Sequence, residues 1–188
     1  MRTKRQRFLN RTITIDPGLH TGVAIWQGDA HPRVFEISLP TQHVCESKER
    51  RVVLMADKLH SIVTKYPVEH AFIESVGLWW GKEHYYNHFK LGKCLLVPLK
   101  FEYSGSVVAA RKGHTFFVAY IIGAYLYVLE SLGINTILVS PQRWKGNRSK
   151  KYIANLIYNV NKCRYSSDHI SDAVGIGFAA TNQLTTNG

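Results

Sequence analysis

The chain has 188 residues, 45% of them hydrophobic, enough to bury one real core and too few for two. Its 24 Lys and Arg against 13 Asp and Glu give a net charge of +11 and a pI near 9.7, which favours a polyanionic partner, nucleic acid above all. With no basic amphipathic helix and no long uninterrupted apolar run, attachment to a membrane is not expected, and Cys45, Cys94 and Cys163, odd in number and without zinc spacing, read as reduced intracellular thiols.

Residues 1–11 carry Arg2, Lys4, Arg5, Arg7 and Arg11 and no acid, so they read as a basic arm that touches phosphate or as a solubilising tail. No apolar stretch follows to make a secretory signal. Residues 13–26, ITIDPGLHTGVAIW, alternate apolar and polar side chains up to Asp16, break at Pro17-Gly18 and resume as a hairpin partner. Pro17 and Gly18 allow a sharp turn straight after Asp16, leaving its carboxylate on a rigid strand end, as a metal ligand requires. The other reading of Asp16 is an ordinary Asx turn. A third alternating run, 33–39, implies an antiparallel meander.

Apolar residues at spacings of three and four predict an amphipathic helix over 46–65, stopped by Pro67. It leads into a buried strand at 70–75 that again ends on an acid, Glu74. Over 77–112, Trp79, Trp80 and Tyr85 mingle with Lys82 and Lys112, the mixture a nucleic-acid surface uses for stacking and phosphate contact and equally one that packs a satellite core or a dimer interface. From Gly113 to Leu132 the pattern is helical and apolar on nearly all sides, yet it contains His114, several Tyr and Glu130, which argues for a buried helix over a membrane span. Residues 135–141 read as a short buried strand closed by Pro141. Beyond it Arg143, Lys145, Arg148, Lys150, Lys151, Lys162 and Arg164 occur with no acid among them, which marks a phosphate-contact region. A last helix starts at Ser166 or Ser167 and carries Asp168, His169 and Asp172 in its first turns, followed by Ala173, Gly175 and Gly177, small enough to press against a sheet. An acid in the first turn also suits the helix dipole without any function, which applies to Asp168 more than to Asp172.

Strands and helices in this order predict an α/β fold: a mixed five-stranded sheet, three strands antiparallel and the rest parallel, covered by helices and making one domain over 1–188. Asp16, Glu74 and Asp172 each sit at the end or start of an apolar element, where an unpaired charge is costly. Phosphodiester hydrolysis gives such acids a purpose, since two Mg²⁺ ions about 4 Å apart can activate water and stabilise the leaving oxygen. His169 is positioned to add a nitrogen ligand or to orient the water.

IDPG with Asp16, IES with Glu74, VSPQRWKG after the long helix and the closing HxxDA from His169 to Ala173 resemble, in order, the RuvC-type Holliday junction resolvases. The resemblance covers most of residues 12–182 and implies a ribonuclease H-like fold, a homodimer, and Mg²⁺ or Mn²⁺ held by an acidic set that cuts two opposed strands of a four-way DNA junction. Carried over by position, Asp16, Glu74, His169 and Asp172 form the catalytic set. The closing motif leaves Asp168 or His169 open as the fourth metal ligand. The implied setting is the cytoplasm of a bacterium or phage-infected cell, and the compact, divergent sequence suits a mobile element. The 77–112 stretch is longer than the corresponding segment of that family. Two other classes are weighed: a related nuclease acting on flaps, other branched DNA or RNA shares the same active-site logic, whereas a sugar-kinase-like ATPase needs two such domains, which 188 residues do not hold.

Overall fold

The computed structural model describes residues 11–28, 31–39, 47–76 and 114–180. Residues 1–10 of the basic arm and all of 77–112, with Trp79, Trp80, Lys82, Tyr85 and Lys112, lie outside the described residues. Strands β1 (Thr12–Asp16), β2 (His20–Trp26) and β3 (Arg33–Ser38) are followed by helix α1 (Lys48–Lys65) and strand β4 (His70–Glu74). Then come α2 (His114–Ser131), β5 (Asn135–Val139), α3 (Pro141–Trp144), α4 (Lys150–Asn161) and α5 (Asp168–Ala180).

The sheet order is β3-β2-β1-β4-β5. β1 pairs antiparallel with β2, and β2 with β3, whereas β4 runs parallel to β1 and to β5, as expected for the mixed sheet. Period-two alternation divides the side chains between two cores. Ile13, Ile15, Val23, Ile25 and Ile73 pack with Met55 and Leu59 of α1 and Ile121, Tyr125 and Leu129 of α2. Ala24, Trp26 and Phe72 pack on the other face with Trp144, Ile153, Ile157, Ala173, Val174, Ile176 and Phe178. Each fully buried aliphatic side chain contributes about 1.5–3 kcal/mol relative to exposure, so these two layers hold the sheet's strand ends in place.

Two expectations change. Among the described residues β5 is the sheet's edge and not a buried strand: it pairs with β4 alone, and Ile137 and Leu138 are exposed. α2 is buried on one side only, with Phe116, Tyr120 and Tyr127 exposed on the other, because a sheet can cover only one face of a helix packed on it. The basic run from Arg143 to Arg164 begins inside α3 and holds α4. Ser149 caps α4 by accepting from the Tyr152 amide at 3.2 Å, and Ile153 and Ile157 form its buried face.

Candidate active site

The register of the two central parallel strands sets the site. Ile15 lies opposite Ile73, so the next residue on each strand, Asp16 and Glu74, ends its strand at the same level. The turn after Asp16 is held by Thr21, whose hydroxyl accepts from the Gly18 amide at 3.2 Å, donates to the Gly18 carbonyl at 3.0 Å and accepts from the buried Tyr125 hydroxyl at 3.1 Å. Helix α5 brings the third acid. Thr14, two residues before Asp16, donates to the carbonyl of Ala173, next to Asp172, at 2.7 Å and accepts from Trp26 Nε1 at 3.1 Å. Glycines make that close seating possible: a Cβ on Gly22 would overlap the His169 carbonyl, and one on Gly175 would lie 2.6 Å from the Trp144 ring.

The result is a triangle in which one carboxylate oxygen each of Asp16, Glu74 and Asp172 lies within 4.8 Å of the others. His169 joins it through Asp16, its Nδ1 lying 2.7 Å from Oδ2, and the His20 ring stacks at 6.4 Å from the His169 ring. Asp168 does not reach the triangle. It is exposed and pairs with Lys150 at 3.2 Å, as an acid in a first helical turn does for reasons of charge alone. Arg143, Arg148 and Lys151 are exposed on α3, the following turn and α4. Lys145 is not with them: its Nζ donates to Asp172 Oδ2 at 3.0 Å and lies 3.3 Å from both Glu74 oxygens. The sequence reading did not single out Trp144, whose Nε1 donates to Glu74 Oε2 at 2.7 Å. Its signal was a tryptophan set in an otherwise basic and polar run, where a large apolar ring needs a buried place.

No family model and no curated protein matches the sequence. Solved structures do. The structure described as T. thermophilus RuvC in complex with Holliday junction substrate aligns with a TM-score of 0.60 at 17% identity, over 92% of this chain and 93% of that one. The chain has the RuvC fold. A second Thermus thermophilus RuvC structure aligns with a TM-score of 0.54 at 15% identity, covering 92% and 94% of the two chains. Within the RuvC fold, the triangle occupies the ends of the two central parallel strands and the helix that crosses them.

Burial, with the neighbouring charge of Asp16, pushes the Glu74 carboxyl up to about 7, against the opposing pull of Lys145 and Trp144. Asp172 is raised by burial as well, while the hydrogen bond to Asp16 raises His169. A carboxyl raised in the folded state takes up protons more readily folded than unfolded, so it stabilises the fold at low pH and that contribution is lost as pH rises. For Glu74 the loss spans 4.5 to about 7 and amounts to about 3 kcal/mol. His169 acts in the same direction, its contribution complete below 6.5 and lost above its raised value. We therefore expect the metal-free protein to lose thermal stability between pH 5 and pH 8 more steeply than its Glu74→Gln variant does. Melting curves in chelator test this, and parallel slopes for the two proteins would contradict it.

Proposed function

We propose that the chain is a metal-dependent, structure-selective DNA endonuclease that resolves four-way junctions by paired, symmetric phosphodiester hydrolysis. The carrying observation is the triangle of Asp16, Glu74 and Asp172 at adjacent strand ends and a helix, in a chain of charge +11. Three carboxylates on rigid elements suit a hard divalent ion, Mg²⁺ or Mn²⁺, which prefers oxygen donors. Such ions supply positive charge beside the scissile phosphate and hydroxide at neutral pH. The chain's own residues prepare for this. Trp144 fixes one Glu74 oxygen, and His169, the fourth member of the set, fixes Asp16. In this reading 1–188 acts as one nuclease domain, with the basic arm and the 77–112 insertion added to it.

Lys150 borders the site, reaching Asp168 one turn from Asp172, and with the exposed Arg143, Arg148 and Lys151 it serves as a contact to the DNA backbone. Trp79, Trp80, Lys82, Tyr85 and Lys112 remain proposed contacts to the branch. Affinity for branched DNA should fall steeply with salt, at a log–log slope of about −0.9 per phosphate contact, and neutralising Lys150 and Lys151 together should flatten that slope by about 2. A salt response unchanged by that double substitution, measured by gel shift, would remove these lysines from the interface.

Paired cuts need two active sites related by a two-fold axis, hence a homodimer. α2 supplies its face: Phe116, Tyr120, Gly123 and Tyr127 recur at spacings of four, three and four, and Tyr120 and Tyr127 are 68% and 76% exposed. The deciding experiment presents labelled four-way, flap and duplex DNA with Mg²⁺ and follows the oligomeric state by light scattering. The expected outcome is symmetric paired nicks in the four-way junction from a dimer. A monomer that cuts flaps or RNA in preference would establish the simpler nuclease instead.

A further inference from the structure

Lys145 enters the carboxylate triangle from the turn after α3, with its Nζ 4.8 Å from the Trp144 ring centroid. It donates to Asp172 Oδ2 at 3.0 Å and lies 3.3 Å from both Glu74 oxygens, so the ammonium occupies the space between two of the three acids. A divalent ion held between Glu74 and Asp172 would need the same space, and two cations in contact there would repel strongly. The remaining acid, Asp16, is met by His169. Each corner of the triangle thus has a hydrogen-bonding neighbour from the chain itself, and for Glu74 and Asp172 that neighbour is the Lys145 ammonium. Burial disfavours the charged forms of both Glu74 and Asp172, so their proximity as ions needs a neighbouring cation.

We propose that Lys145 is the site's built-in counter-cation: it neutralises Glu74 and Asp172 in the metal-free chain and must withdraw before a divalent ion can bind between them. The proposal rests on reading the triangle as a metal site. Withdrawal has a route, because Lys145 is half-buried, its stem is flexible, and Gly146 follows it at a φ of +58° that few other residues adopt. Metal affinity is then set partly by the displacement of a charge the chain itself supplies. A lysine that only held DNA phosphate would have no such effect in the absence of DNA.

The test is Mn²⁺ titration calorimetry of the full chain without DNA, together with melting curves in chelator. Lys145→Met should bind Mn²⁺ at least about tenfold more tightly, since it removes a positive charge about 4 Å from the ion, and Lys145→Arg should stay close to the wild-type affinity. Metal-free Lys145→Met should melt below the wild type, and Mn²⁺ should raise its melting temperature by more. If Lys145→Met does not fold without metal, recovery by Mn²⁺ supports the proposal; if it folds under neither condition, Lys145→Gln takes its place under the same tenfold criterion. Unchanged or weaker Mn²⁺ binding on loss of the charge overturns the proposal. Failure of the underlying reading is distinct: the wild type would then bind no Mn²⁺, or would bind it equally well after Asp16→Asn or Glu74→Gln.

Discussion

Asp16→Asn, Glu74→Gln and Asp172→Asn are each expected to lower strand cleavage by about a thousandfold or more while leaving affinity for a four-way junction nearly intact. The three side chains converge, one oxygen of each within 4.8 Å of the others, and each is held by a neighbour: His169 meets Asp16, Trp144 meets Glu74, and Lys145 bridges Asp172 and Glu74. On the proposed reading, removing one charge takes away one oxygen ligand and leaves the exposed cations proposed to contact the DNA backbone in place. Single-turnover cleavage and gel shifts on the same variants separate the two effects. Affinity that falls in step with cleavage would count against a metal-ligand role. Among the neighbours, His169→Ala should reduce cleavage more than Asp168→Asn does, because His169 holds Asp16 whereas Asp168 pairs only with the exposed Lys150. The reverse ranking would move the fourth place to Asp168.

The positions of Asp16 and Glu74 were legible because each ends a strongly alternating or apolar strand, and alternation is a local property of the sequence. That the two ends meet was not legible from periodicity. It depends on the register of β1 against β4, set across β2, β3 and α1, which no local pattern reports. The α5 small residues were read as permitting close packing on the sheet; Gly177 against Trp26 of β2 does that, whereas Gly175 instead admits Trp144 of α3. Lys145 and Trp144 show where composition misleads. In a run of cations one lysine looks like the next, and what separates Lys145 from Lys151 is the single turn of α3, a four-residue helix too short to leave a period. α4 did leave one, in Ile153 and Ile157 behind the Ser149 cap, but the basic charge of the run drew the reading to its surface instead. β5 looked buried because it is apolar, and an apolar edge strand has the same sequence pattern as a central one.

Gly22→Ala is expected to be the most damaging single-methyl change outside the triangle. Gly22 lies opposite Asp16 in the hairpin, and α5 rests on it backbone to backbone: an added Cβ would overlap the His169 carbonyl and come within 2.7 Å of the Ile170 amide nitrogen. Neither is the free end of a flexible side chain, so the helix itself must move, and the parts that move carry His169 and Asp172. Overpacking of this kind costs about 3 kcal/mol, which for a chain of this size lowers the melting temperature by about 6–12 °C. Cleavage should fall further than stability alone explains, since the His169 to Asp16 bond at 2.7 Å depends on the same seating. Gly123→Ala provides the contrast. Gly123 lies inside α2 on the exposed side, where an added Cβ meets nothing of its own chain within 4 Å, so in the monomer alanine should gain about 0.5–1 kcal/mol from helix propensity. Thermal melts of the two variants measure the difference directly. If Gly22→Ala melts with the wild type, α5 does not depend on a bare backbone at that point, and the seating that brings Asp172 to Asp16 must come from Thr14 and Trp26 alone.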